Sequence, residues 1–165
     1  MTVPRRKLSR HFTVVVRRDY DLQPETLFAA WTDPDIRGQV IAPPGKGLRL
    51  KQLDIAEGGV EIVEERWRDR PGAETTRCYV ALRPCTLIVA QVVHRIKTGA
   101  RTPDNIVAAQ ELLLFKPTAE GARIVASSQV TAMKQNDIQA AEDAWNDAFD
   151  RFEDQLDPQH RGIAP

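Results

Sequence analysis

The chain has 165 residues, which suits one domain that buries roughly 70% of its unfolded surface. Its 23 lysine and arginine residues balance 23 aspartate and glutamate residues, so charge gives no reason to expect nucleic acid or an anionic membrane as a partner. No apolar run approaches the ~20 residues of a membrane span, and two cysteines are too few for a disulfide framework, so we expect a cytoplasmic protein.

The N-terminal part predicts a strand followed by two short helices. Residues 1–10 are locally basic and are typical of a solvated tail, whereas residues 11–18 alternate apolar and polar side chains as a strand does. Pro24 suits the first turn of a helix, because its missing N–H has no helical partner there. Asp33 can then cap a second short helix that runs to about Gln39.

The middle of the chain predicts an antiparallel meander. Apolar segments follow one another closely and are separated by glycine, proline and polar turns. Short links of this kind join antiparallel neighbours, since parallel strands need a long crossover. The expected strands are 48–55, 59–68, 75–83, 86–96, 105–116 and 122–131.

The C-terminal part predicts one long amphipathic helix over residues 137–156, followed by a tail at 158–165. A meander has one face that needs cover, and this helix is the only long element available to cover it. We therefore expect an α+β fold in which a curved antiparallel sheet wraps around the last helix. The apolar positions of that helix recur at steps of three and four: Ile138, Ala141, Trp145, Ala148, Phe152 and Leu156.

Three segments, in their order and spacing, resemble the START-like superfamily, also called SRPBCC. They are LFAAWTDP at 27–34, DIAEGG at 54–59, and Ala144-Trp145 followed by Phe152 and Leu156. The chain looks most like the bacterial relatives of the activator of the ninety-kilodalton heat-shock chaperone's ATPase. The resemblance covers about residues 11–157 and implies a single helix-grip domain there, with one strand, two helices, six strands and a long helix.

The resemblance also implies a cavity between the sheet and the last helix. In this superfamily such cavities bind lipids, sterols, polyketides or other apolar molecules, so we expect a small apolar or amphipathic ligand and no cofactor. One alternative is a cyclase or hydrolase that acts in the same cavity, with Glu111 as its acid or base. Another is a protein-interaction module, either an activator of the heat-shock chaperone or a homodimeric accessory protein.

Two neighbouring strands carry the polar residues that we expect at the cavity. The family's phase turns Gln91 and Glu111 toward it, whereas a phase shifted by one residue would turn both to solvent. Antiparallel partners on these strands have numbers that sum to about 201, which sets Gln91 within one register step of Glu111. The adjoining hairpins bring Cys78 close to Gln91, and Ala126 alongside Glu111. A buried carboxylate needs a partner, and either Gln91 as a donor or Arg95 as an ion-pair partner can supply one.

The expected ligand site combines these strands with the helices. The two tryptophans in it also fit plain core packing, which is the more usual role of aromatic residues at helical spacing. The three histidines, His11, His94 and His160, are too scattered for a metal signature. The residues expected to contact the ligand are Trp31, Cys78, Val89, Gln91, Val93, Glu111, Leu113, Trp145, Ala148 and Phe152.

The same phase predicts an apolar area on the opposite face of the sheet. Large exposed apolar patches usually mark an interface, so we expect a homodimer that forms through this face. The residues expected there are Ile88, Ala90, Val92, Leu112 and Leu114.

Overall fold

The computed structural model describes residues 10–68, 72–97, 105–132 and 136–156. In these ranges no helix is both long enough and apolar enough to cross a membrane. The elements in chain order are β1 (Arg10–Tyr20), α1 (Pro24–Thr32), α2 (Pro34–Ile41), β2 (Leu48–Leu53), β3 (Val60–Glu65), β4 (Ala73–Arg83), β5 (Leu87–Ile96), β6 (Asn105–Pro117), β7 (Ala122–Ala132) and α3 (Asn136–Gln155). The expected tails lie outside the described residues, apart from the backbone of Arg10.

The strands form one curved antiparallel sheet in the order β1-β7-β6-β5-β4-β3-β2. Each strand from β2 to β7 pairs with the next one along the chain, and β1 pairs with β7 as an edge strand. The long helix α3 packs against one face of this sheet, which we call the concave face, and the other face is the convex face. The predicted α+β, helix-grip fold is therefore confirmed.

The junction between α1 and α2 forms as the sequence predicts. The Asp33 carboxylate accepts hydrogen bonds from the backbone N–H groups of Asp35 at 2.9 Å and Ile36 at 3.0 Å. Pro34 follows at the first helical position, where it needs no N–H partner. As a result α1 ends at Thr32 and α2 begins at Pro34, with a single residue between them. This short junction places α2 beside the cavity.

An aromatic cluster joins α1 to α3 beneath the sheet. The ring of Trp31 lies 4.8 Å from that of Phe152, 5.8 Å from Phe149 and 6.5 Å from Trp145, measured between centroids. Both phenylalanines are fully buried. Phe149 was not among the predicted apolar positions of the helix, although its spacing from Trp145 and Phe152 puts it on the same face.

The predicted orientation of β5 is wrong. Ile88, Ala90 and Val92 point to the concave side and are buried, whereas Gln91 and Val93 are exposed on the convex face. Three of the five residues that supported a homodimer therefore lie inside the protein. Leu112 and Leu114 do lie on the convex face, half-buried, and the homodimer itself stays a prediction.

Candidate functional site

A cavity of about 490 Å³ lies between the concave face and the helices α2 and α3. Most of its wall is aliphatic. Ala140 and Ala144 of α3 line the cavity and are themselves exposed, so it opens to solvent along this part of the helix. The apolar lining residues are Val40, Ile41, Leu48, Val63, Val92, Ile96, Val107, Ala109, Val130, Ala140, Ala141, Ala144, Trp145 and Ala148.

Four charged residues that also line this cavity form an ion-pair cluster: Arg37, Glu61, Arg77 and Glu111. Arg37 of α2 donates from Nε and Nη2 to the Glu61 oxygens at 2.9 and 3.3 Å. Arg77 of β4 donates to both oxygens of Glu111, at 2.8 and 3.1 Å, and from Nη1 to Glu61. Arg77 thus bridges the two carboxylates.

Glu61 is the most enclosed member of the cluster, with a side chain only 1% exposed. The hydroxyl of Tyr79 also donates to it, at 2.7 Å. Burial by itself would raise the pKa of Glu61, but the charges of Arg37 and Arg77 together outweigh it and lower the pKa to about 2. For Tyr79, burial is the main cause that raises the pKa, to about 12. Glu61 is therefore an ionised carboxylate, and Tyr79 stays a neutral donor at neutral pH.

The sheet register explains how the cluster assembles. Glu61 and Arg77 are directly paired across β3 and β4, so their side chains share the concave face. Glu111 pairs with Ala90 across β5 and β6. Arg77 lies opposite Val92 of β5, and its guanidinium extends across β5 to the Glu111 carboxylate on β6. Burial opposes the charge of Arg77, but Glu111 and then Glu61 outweigh it and raise the pKa of Arg77 above its ordinary value.

Two neutral polar pairs lie beside the cluster. His94 Nδ1 and Thr75 Oγ1 are 2.8 Å apart, and burial lowers the pKa of His94 below its ordinary value, so the imidazole is neutral at pH 7. The Trp145 indole N–H donates to the Ser128 hydroxyl at 2.7 Å. Ser128 is in turn the register partner of Glu111. These pairs hold polar atoms in place at the cavity wall.

The structure divides the predicted ligand residues into three groups. Glu111, Trp145 and Ala148 line the cavity. Trp31, Leu113 and Phe152 lie buried in the core and are not among the lining residues. The prediction is wrong for the remaining four, which alternate with inward-facing residues of β4 and β5 and lie on the convex side: Cys78, Val89, Gln91 and Val93.

Contacts around Glu111 also differ from the expected row of side chains. Its charged partner is Arg77, not Arg95, which is exposed on the convex face. Its neighbour on β7 is Ser128, two residues from the expected Ala126. Sequence reasoning missed Arg77, although the expected pairing of Cys78 with Gln91 is correct and sets Arg77 opposite Val92. A correct orientation of β5 was the missing step.

No protein-family model and no curated protein sequence matches the chain. Several solved structures share its fold. An uncharacterised protein from Rhizobium leguminosarum matches with a TM-score of 0.73 at 21% identity, over 90% of this chain and 98% of its own. A protein from Rhizobium loti matches with a TM-score of 0.70 at 17% identity, over 87% of this chain and 99% of its own. A protein from Chromobacterium violaceum matches with a TM-score of 0.66 at 16% identity, over 88% of this chain and 98% of its own. At these identities the likeness shows the fold alone.

Proposed function

We propose that the protein belongs to the START-like superfamily and binds a small apolar or amphipathic molecule in the cavity between the sheet and α3. The observation that carries the proposal is the cavity itself. Its volume of about 490 Å³ lies within the range of ordinary small-molecule sites, and its wall combines aliphatic side chains with a few fixed polar groups. Its exposed rim at Ala140 and Ala144 gives a ligand a route in.

The geometry favours binding over acid–base catalysis by Glu111. A general acid or base must reach a substrate atom with a hydrogen bond and exchange a proton with it. Arg77 already donates to both Glu111 oxygens, so the carboxylate is held in place as the partner of a largely buried guanidinium. A cyclase or hydrolase reaction through Glu111 and activation of the heat-shock chaperone stay predictions.

The cavity is tested with two alanines that are adjacent on β6. Ala109 lines the cavity, and Ala108 is exposed on the convex face. Ala109→Phe should fill the cavity, whereas Ala108→Phe adds the same side chain to the same strand outside it. Native mass spectrometry of protein purified from its own host reports a co-purifying molecule. Fluorescence of the neutral probe N-phenyl-1-naphthylamine reports binding by the purified variants.

We expect the wild type and Ala108→Phe to bind the probe, and Ala109→Phe to lose at least about 90% of that affinity. Circular dichroism of all three proteins shows whether the fold is kept. A wild type that neither carries a molecule nor binds the probe would refute the proposed function, as would equal binding by the two variants.

A further inference from the structure

The polar part of the cavity has balanced charges, and this restricts what can bind there. The ion-pair cluster holds two guanidinium groups and two carboxylates, all of them largely buried. A charge added to such a group without a counter-charge loses its hydration and gains no partner. The neighbouring His94 is neutral as well.

The same groups offer hydrogen bonds that the protein does not use. Glu61 accepts from Arg37 twice, from Arg77 and from Tyr79, so its lone pairs are fully engaged. Glu111 accepts only from Arg77 among the described residues and keeps lone pairs free. Each guanidinium has five N–H groups, more than these bonds require.

His94 adds a group that both donates and accepts. Its Nδ1 bonds to Thr75, which fixes the ring, and Nε2 makes no bond to another described residue. His94 also lines the cavity, as do Arg77 and Glu111. A neutral ligand group that donates and accepts, such as a hydroxyl, matches these three residues without disturbing the charge balance.

Taking the proposed ligand-binding function as given, we propose that the ligand is an uncharged amphipathic molecule. Its hydroxyl or carbonyl group contacts the Arg77–Glu111 pair and His94, and its apolar body lies along α3. The cluster therefore selects against carboxylates and amines of the same shape. Fatty acids and cationic lipids should therefore bind more weakly than neutral molecules of the same shape, because the cluster offers them no counter-charge.

Arg151 is the one other cation among the lining residues that the structure describes, so it competes as an anion site. Its Nε donates to the Val40 carbonyl at 2.6 Å, which fixes the guanidinium at the end of α2. On α3 it lies four residues after Asp147 and three before Asp154, so carboxylates neighbour it on both sides along the helix. These two carboxylates lie about one turn from Arg151 and reduce the net positive charge near this end of the cavity.

The test compares probes of one shape and different charge by isothermal titration calorimetry at pH 7. They are 2-naphthamide, which is neutral, 2-naphthoate, which is nearly isosteric and anionic, and 2-naphthylmethylamine, which is cationic. We expect the wild type to bind the amide at least about tenfold more tightly than either charged probe, a difference of about 1.4 kcal/mol.

Glu111→Gln supplies the decisive comparison, because it keeps the shape of the side chain and leaves the cluster with one excess positive charge. The preference for amide over naphthoate should then fall at least about tenfold. Glu120→Gln is the matched control, since it makes the same change of net charge at an exposed turn and should keep the wild-type preference. Should Glu111→Gln fail to fold by circular dichroism, the wild-type ranking decides.

The inference is overturned when the wild type binds naphthoate or the amine at least as tightly as the amide, or when folded Glu111→Gln keeps the wild-type preference. Naphthoate binding that Arg151→Gln abolishes would also overturn it. If the wild type binds N-phenyl-1-naphthylamine but none of the three probes, the inference fails alone. If it binds no probe at all and carries no co-purifying molecule, the proposed function fails with it.

Discussion

At the scale of single residues, the buried carboxylate of Glu61 determines how the ion-pair cluster contributes to stability. Burial of its carboxylate is unfavourable, and only the two arginines and Tyr79 together make the ionised form the stable one. Breaking such a group by removing one partner usually costs about 3–5 kcal/mol, because a charge is left buried and unpaired. The four members of the cluster therefore depend on one another, and removal of one leaves a buried charge without its partner.

The lowered pKa of Glu61 predicts a specific loss of stability in acid. The pKa is about 2 in the folded protein and near its ordinary 4.5 in the unfolded chain. Because the folded pKa is the lower one, the stabilisation is present above pH 4.5 and is lost as the pH falls toward 2. The shift corresponds to about 3 kcal/mol at most. Urea unfolding at several pH values between 6 and 2 measures it.

Glu61→Gln should show a weaker fall of unfolding free energy over this window than the wild type does, even though it is less stable at pH 6. Glu120→Gln is the control with an exposed carboxylate removed, and it should keep the full wild-type fall. The same pH dependence in Glu61→Gln and the wild type would mean that Glu61 is not the responsible group.

At the scale of elements, β5 and β6 show where sequence patterns suffice and where they do not. The predicted sum of about 201 for partners on these strands is correct, as in the pair Ala90 and Glu111. The prediction places Gln91 beside Glu111, but the two are one step out of register, and one step exchanges the faces of a strand. The segment LIVAQVV of β5 is apolar on both faces, so alternation did not reveal the error.

The helix α3 was predictable in more detail, because only one of its faces is apolar. Trp145 packs against Trp31 and Phe149 and also donates to the buried Ser128 hydroxyl. Its indole therefore contributes both packing and a hydrogen bond to the attachment of α3 to the sheet. The two contributions can be separated by substitution.

Trp145→Ala should lower the free energy of unfolding by about 3–5 kcal/mol, because it removes a buried ring. Trp145→Phe keeps much of the ring but not the N–H, and it should cost about 1–3 kcal/mol. Asp143→Ala, on the exposed side of α3, is the control and should change stability by less than about 0.5 kcal/mol. A chemical-denaturation midpoint for Trp145→Ala equal to that of the wild type would contradict this placement.

On the scale of the whole molecule, the sequence predicted the layers but not what joins them. Strand spacing, the Asp33 cap and the apolar stripe of α3 each depend on neighbours within a few residues, so local patterns revealed them. The ion-pair cluster joins α2 to β3, β4 and β6, and its members are far apart in sequence. Their meeting depends on register and on the packing of α2, neither of which local patterns encode.

The wall that α2 forms depends on a second long-range contact, at its C-terminal end. The carbonyl of Val40 lies in the last turn of α2, and the residue four positions on is Pro44, which has no N–H to donate. Arg151 of α3 supplies the missing donor, at 2.6 Å. This bond closes the end of α2 onto α3 beside the cavity.

Arg151→Met keeps most of the aliphatic stem and removes the donor, so the last turn of α2 should open more often. We expect amide hydrogen exchange at Gly38 to Ala42 to accelerate about tenfold, the effect of losing roughly 1.4 kcal/mol of local stability, while exchange in the central strands changes little. Arg18→Met is the matched control, because Arg18 also contacts α3, through Asn146 and Asp150, but on the β1 side. If exchange in α2 is the same in both variants and the wild type, the Arg151 bond does not stabilise the end of α2. If exchange in Arg151→Met accelerates equally throughout the sheet, the bond supports the whole fold and not α2 alone.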